Sequence, residues 1–472
     1  MLDVIQSVVA LIVTLSILVT IHEFGHYWVA KLCGVHVLRF SVGFGKPFYI
    51  KHGKQPVVQP PAHQVIETRS NETLAPTEFA LAAIPLGGYV KMLDERDGFV
   101  ADDRLHLAFN RKPVLQRIAI TAAGPIANFL LAIVAYWVLF IAGVSGVAPI
   151  LGELDKQSVS AQAGLSQGQE IVAVDGEPTN TWSDVNMQLF GRIGDTGDIA
   201  ISIKEFGSND VTRQYQLPVQ RWLSDQENPY PAAALGLVLN YPEIPAVIGG
   251  VVADSAAKKA GLQANDKILR FNGEAIVDWL QFVKLIQSHA NQTVQLDVLR
   301  ANTELSVAVT PGSIDREGQQ VGFLGASRQA IEMPEEMLRH VSYPFYSAWI
   351  PAVDKTWSVT MFTLESIYKM LKGAISPKNL SGPITIAQVA SDSAESGLEN
   401  FISFLALLSI SLGVINLLPI PILDGGHLVY YLIELVTRRP VPERIQMMGL
   451  QMGMFLLVGI MMLAFYNDLM RL

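Results

Sequence analysis

From Ile118 to Val144 the chain runs for 27 residues without a charged side chain. About 20 apolar residues in a helix cross the roughly 30 Å of bilayer hydrocarbon. A backbone in lipid must also satisfy its own hydrogen bonds, which a helix does and an irregular segment does not. Three further apolar runs accompany this one, and the spans are placed at residues 1–30, 117–144, 401–424 and 445–467. The expectation is a polytopic α-helical membrane protein with four transmembrane helices. Composition agrees: 50% of the 472 residues are hydrophobic and 16% charged, against about 25% charged in soluble domains. A net charge of -9 argues against a nucleic-acid partner. Cys33, the single cysteine, excludes an internal disulfide and a cysteine-based zinc finger. The first run starts Met-Leu-Asp, without the basic n-region of a signal peptide, and is read as retained.

Loop charge sets the expected orientation in the lipid bilayer. Residues 31–117 hold 12 Lys and Arg against 8 acids, whereas residues 145–400 hold 18 against 29. The link before the last span carries Arg438, Arg439 and Arg444. The positive-inside rule then makes the 31–116 loop cytoplasmic and puts the long acidic segment and both termini outside.

That acidic segment contains a duplication. Ala163-Gly-Leu-Ser-Gln-Gly-Gln-Glu-Ile-Val-Ala-Val-Asp-Gly-Glu177 recurs as Ala260-Gly-Leu-Gln-Ala-Asn-Asp-Lys-Ile-Leu-Arg-Phe-Asn-Gly-Glu274, and Trp182 recurs as Trp279 at the same offset. Each copy reads as a helix turn, Gly-Leu, a strand and an Asp-Gly or Asn-Gly turn. The pattern resembles bacterial PDZ domains, which take peptide C-termini or extended peptides by strand addition. Two α+β PDZ-like domains are therefore expected at 145–242 and 243–328, either peptide-binding or acting as spacers. Leu235-Gly236-Leu237 and Val321-Gly322-Phe323 are the expected strand starts that close them. Residues 329–400, amphipathic and interrupted by Pro334, Pro344, Pro351 and Pro377, are expected to form amphipathic helices on the same outer side.

The chemistry sits in the first span. His22-Glu-Phe-Gly-His26 is H-E-x-x-H. On a helix, residues i and i+4 share a face, so two imidazoles can converge on one zinc and leave Glu23 beside its water as general base. Ionisable groups in apolar helix are costly and mark function. A third ligand is needed, and Val29 and Leu32 stand where the metzincin continuation needs Gly and His. Glu72 is one candidate, in a polar loop. Asp424 is the other: it is the only acid between Asn400 and Glu434, preceded by Pro419 and Pro421 and followed by Gly425 and Gly426. A scaffold would need neither Glu23 nor Asp424. A metal transporter would spread acids and His through several spans, and the second and fourth have none.

His22-Glu-Phe-Gly-His26, Leu423-Asp-Gly425 after Asn416-Leu-Leu-Pro-Ile-Pro421, and Ala123-Gly-Pro-Ile-Ala-Asn128 together resemble the site-2 protease family of intramembrane zinc metalloproteases. The resemblance implies zinc as cofactor, His22, His26 and Asp424 as ligands, Glu23 as catalytic base and Asn416 as a group steadying the substrate backbone. It also implies a cytoplasmic-side re-entrant β-loop that holds substrate as an added strand. Val35–Ile50 and Glu78–Met92 alternate like strands, and Gly43, Phe44 and Gly45 are assigned to substrate contact there. Implied substrates are single-pass membrane proteins: an anti-sigma factor already trimmed outside, and remnant signal peptides. The implied place is a bacterial inner membrane with the PDZ-like pair in the periplasm. The polar stretch His52–Pro76 departs from the pattern and looks like an insertion.

Overall fold

A computed structural model describes residues 2–53, 75–208, 212–224, 226, 229–240, 245–316, 319–329 and 334–471. Glu72 and most of the 52–76 stretch lie outside the described residues. Among the described residues, four helices are long and apolar enough to cross a membrane. These are α1 (Leu2–Leu32), α2 (Val114–Ala142), α5 (Leu398–Leu417) and α7 (Glu443–Arg471). Between α1 and α2, strands β1 (Val37–His52) and β2 (Glu78–Met92) pair antiparallel. Each strand bends back on itself. Residues 78–81 pair with both 39–42 and 49–52, while 88–92 pair only with 37–42 among the described residues and form a free edge.

The third span departs from its expected limits. Its helix stops at Leu417, residues 418–423 turn, and α6 (Asp424–Thr437) starts afresh. Pro419 and Pro421 lack the N–H groups that would continue α5. Gly425 and Gly426 let the start of α6 fold onto the break, since a Cβ at Gly425 would lie 2.2 Å from the Leu418 carbonyl oxygen.

Strand β3 (Val144–Val147) leaves α2 and pairs antiparallel with β4 (Leu338–Val341), closing a neck around the duplicated insert. Each copy above the neck is a four-stranded sheet of one order: 177–178, 169–174, 197–205, 213–219 in the first, and 274–275, 267–271, 294–300, 303–309 in the second. Helices Trp182–Gly191 and Trp279–Ser288 pack on them. Their cores are separate, one around Ile171, Leu189, Ile201 and Leu217, the other around Ile268, Phe282, Leu296 and Val298.

The second closing loop is not where the sequence pointed. Ser160 N–H donates to the Leu235 carbonyl, and Ala257 N–H donates to that of Leu324. Gly236 (φ 78°) abuts Ser158 as Gly325 (φ 75°) abuts Ser255. The counterpart of Leu235-Gly236-Leu237 is therefore Leu324-Gly325-Ala326. Val321-Gly322-Phe323 belongs instead to strand Gln319–Phe323, paired with Gly312–Arg316.

Past the neck come α3 (Trp349–Leu371) and α4 (Pro383–Glu395). Pro351 is tolerated because it lies in the first turn of α3, where N–H groups have no helical partner. Ala352 and Val359 of α3 pack with Ala132, Tyr136 and Leu139 of α2 and Ala406 and Ile410 of α5. Asp468 of α7 accepts from the backbone N–H groups of Gly382, Ile384 and Thr385, capping α4 and tying α7 to it.

Candidate metal centre

The H-E-x-x-H residues lie on one continuous helix, and their imidazoles turn toward each other as the 3.6-residue repeat requires. His22 and His26 are buried, with their Nε2 atoms 3.2 Å apart. Asp424, the first residue of α6, completes a triangle: its Oδ2 lies 3.2 Å from His22 Nε2 and 3.4 Å from His26 Nε2. Ligands about 2.0–2.1 Å from a tetrahedral zinc are separated by about 3.3 Å, so the three atoms stand at the edge length of such a site. Asp424 Oδ2 is moreover buried without a hydrogen-bond partner among the described residues. Two imidazole nitrogens and one carboxylate oxygen, mutually this close, fit a divalent zinc ion and satisfy that orphan oxygen.

Glycines make the convergence possible. A Cβ at Gly25 would stand 2.3 Å from the Ala123 carbonyl oxygen, so α1 and α2 touch backbone to backbone. A Cβ at Gly124 would stand 2.3 Å from His26 Nε2 and 2.9 Å from His22 Cε1. The glycine of α2 thus clears the volume into which both imidazoles project. His26 Nδ1 lies 2.8 Å from the Ile120 carbonyl oxygen, which leaves Nε2 as the free lone pair.

Glu23 lines the same cavity of about 420 Å³ together with Asn416, His427, Tyr431 and the edge strand Gly88–Met92. The Val90 N–H donates to its carboxylate. Gly88 permits this approach, because a Cβ there would lie 3.0 Å from Glu23 Cγ and 2.7 Å from the Ser41 carbonyl oxygen. Proton acceptor, ligand triangle and a strand edge with no second strand partner among the described residues therefore share one wall.

The structure brings together His22, Glu23, His26, Asp424 and Asn416 around the cavity. Gly43, Phe44 and Gly45 are not among its lining residues. Gly43 and Gly45 adopt positive φ at the bend of β1, and Phe44 stacks on Tyr89 over Gly87. Phe44 reaches the cavity only through Tyr89. The sequence pattern predicts the strand Glu78–Met92 but not that its 88–92 end, rather than Gly43–Gly45, lines the cavity, nor that His427 and Tyr431 join it. For the last two, the i+3 and i+7 spacing from Asp424 on one helix face was an available signal.

The chain matches the model of Peptidase family M50 over residues 10–59 and 62–460, and it belongs to that family of metallopeptidases, the site-2 proteases. Its relatives narrow this further. It is 43% identical over 473 residues, covering 100% of both chains, to a protein named Protease RseP from Yersinia pestis. It is 41% identical over 472 residues, again covering 100% of both, to the Regulator of sigma-E protease RseP of Escherichia coli K12. A putative zinc metalloprotease of Vibrio cholerae is 40% identical over 475 residues, with 100% of each chain covered. A solved PDZ domain from Listeria monocytogenes matches 20% of this chain and 93% of its own at 20% identity and a TM-score of 0.16.

Proposed function

We propose that this chain is a zinc-dependent intramembrane endopeptidase that cleaves transmembrane segments of single-pass membrane proteins. The observation that carries the reading is the meeting of His22, His26 and Asp424 Oδ2 at tetrahedral spacing, inside apolar helices, with Glu23 in the same cavity. A bound zinc supplies Lewis-acid polarisation and a water acidic enough to be deprotonated near neutral pH. Glu23 is placed to take a proton from the water that would add to the scissile carbonyl carbon and to return it to the amine nitrogen as the C–N bond breaks. Asn416 and the Gly88–Met92 edge hold the unwound substrate, the edge by strand addition and Asn416 by its amide. An added strand answers the main difficulty of this chemistry, since an unwound peptide in lipid otherwise loses its backbone partners.

The charge distribution supports a bacterial inner-membrane arrangement in which the loop 31–116 faces the cytoplasm and the duplicated domains and both termini face the periplasm. The cavity then opens near the cytoplasmic face. A relative named Regulator of sigma-E protease is consistent with an anti-sigma factor as substrate, and remnant signal peptides are a second proposed class. The duplicated domains stand across the outer approach to the bundle and act as a filter on substrate size.

Two variants test the reading. Glu23→Gln should lower cleavage of a transmembrane peptide by about 10²–10⁴-fold while zinc stays bound in the purified protein. Asp424→Ala should lose the zinc as well. Full turnover by Glu23→Gln would sink the mechanism, and a zinc content unchanged by Asp424→Ala would remove Asp424 from the ligand set.

A further inference from the structure

One face of α2 serves the metal centre at three successive turns. Ile120 offers a carbonyl to His26, Gly124 makes room for both imidazoles, and Asn128 meets His22. Asn128 is completely buried, and its side-chain nitrogen lies 3.1 Å from His22 Nδ1. Its backbone carbonyl accepts from Ser409 Oγ of α5 at 2.7 Å, so two helices hold it in place. Its Oδ1 is buried with no hydrogen-bond partner among the described residues.

We propose that Asn128 is a positioning residue for the metal centre: its side-chain oxygen accepts from His22 Nδ1–H and thereby aims His22 Nε2 at the zinc. The inference rests on the zinc reading of the site. A neutral imidazole carries one N–H, so a metal on Nε2 puts the proton on Nδ1. Two donors would then face each other across 3.1 Å if the amide kept its nitrogen toward His22. Turning the amide by 180° exchanges its two ends in place and replaces that repulsion with a hydrogen bond. Oδ1 has no partner to lose in its present place, and the turn leaves the amide N–H groups there instead. His26 already has the equivalent acceptor in the Ile120 carbonyl. Without Asn128, His22 would be a ligand with no outer partner. An asparagine, unlike an aspartate, can also donate to His22 Nδ1 in the metal-free protein, so it serves both states.

The test is zinc affinity of the full-length protein in detergent, read by competition with a chromogenic chelator, alongside its metal-free unfolding midpoint. Asn128→Leu, similar in size but unable to accept, should bind zinc about 10–100-fold more weakly. Asn128→Asp, which can only accept, should bind at least as tightly as the parent. Wild-type affinity in Asn128→Leu overturns the proposal. So does zinc lost equally from both variants, which would make Asn128 a matter of packing volume. If the parent protein itself takes up no zinc, the metal reading of the site fails instead, and the two failures are thereby told apart.

Discussion

The two duplicated domains share a sheet order, each around its own core, yet they meet their surroundings in opposite ways. Copy 1 is pinned by ion pairs. Glu170 meets Arg339 of β4 at 2.6 Å, Asp184 meets Lys355 of α3 at 3.1 Å, and Asp195 meets Lys369 of α3 at 2.8 Å. Lys369 also donates to the Gly191 carbonyl. In copy 2, Glu170 and Asp184 are matched by Lys267 and Gln281, and the turn corresponding to Asp195, residues 289–293, contains no acid. The reverse holds inside the domains. Asp266 of copy 2 is fully buried and bonded twice by Arg300, where copy 1 has Gln169 reaching Glu205 at 3.3 Å. The duplication has kept what packs the core. Copy 1 adds charge pairs outward to β4 and α3, whereas copy 2 commits a fully buried carboxylate to its own fold.

The largest effect should come from removing both copies. Deletion of residues 150–325 spares the β3–β4 neck and every residue of the metal centre. Zinc should stay bound, and a substrate carrying a folded outer domain should be cleaved as fast as one already trimmed. Cleavage rates of one substrate in those two forms, by full-length and deleted enzyme, supply the measurement. Retained discrimination after the deletion would replace the size filter with peptide tethering.

A smaller effect should follow from unpinning copy 1 alone. The triple variant Arg339→Gln, Lys355→Gln, Lys369→Gln removes the cations that tie copy 1 to β4 and α3. The Lys355–Asp184 pair is partly exposed and contributes about 0–1 kcal/mol, whereas Lys369 and Glu170 are buried, so the unfolding midpoint of the triple variant is measured beside the assay. Discrimination in the same assay should drop part of the way toward the deletion. Substituting Lys267 and Gln281 in copy 2 should leave it unchanged. Equal effects from both sets would erase the distinction between the copies.

These contrasts show how far the sequence could be read. The spans were legible because absent charge is a one-residue property summed over a window. The ligand pair was legible because i and i+4 are fixed by the helix itself. The end of the third span was placed at 424 although α5 stops at Leu417, because the prolines marked the break without marking which side of it belongs to the helix. The second closing loop was misplaced for a related reason. The offset of 97 holds as far as Trp182 and Trp279. Afterwards Asp175 and Asn272 both bond their sheet neighbours, Ala200 and Gln295, at an offset of 95, so the return strand has slipped by two residues. Asn128 could be seen as part of a motif, but its partner is set only when Gly25 lets α1 settle onto α2.

The smallest effects concern the inward charge of copy 2. Arg300→Met would strand a carboxylate that has no exposure, at a cost of about 3 kcal/mol, whereas Gln169→Ala in copy 1 should cost about 1 kcal/mol. Amide hydrogen exchange in the full-length protein, comparing 267–271 and 294–300 with 169–174 and 197–205, separates the two. Acid sharpens the contrast. Burial alone would raise the Asp266 carboxyl, but the Arg300 guanidinium and the Gln263 N–H outweigh it and hold it below the usual carboxylate range. A group whose folded value is depressed contributes its stability above the unfolded value, near 4, and loses it as pH falls through the folded one. Copy 2 should therefore lose protection below about pH 4 through this group. Asp266→Asn should differ most from the parent at neutral pH and converge with it in acid. Gln169 does not titrate, so copy 1 should show no such convergence when Gln169 is replaced. A gap between Asp266→Asn and the parent that stays constant from neutral pH to pH 3 would mean that Asp266 acts by shape rather than by charge, and the inward half of the comparison would fall.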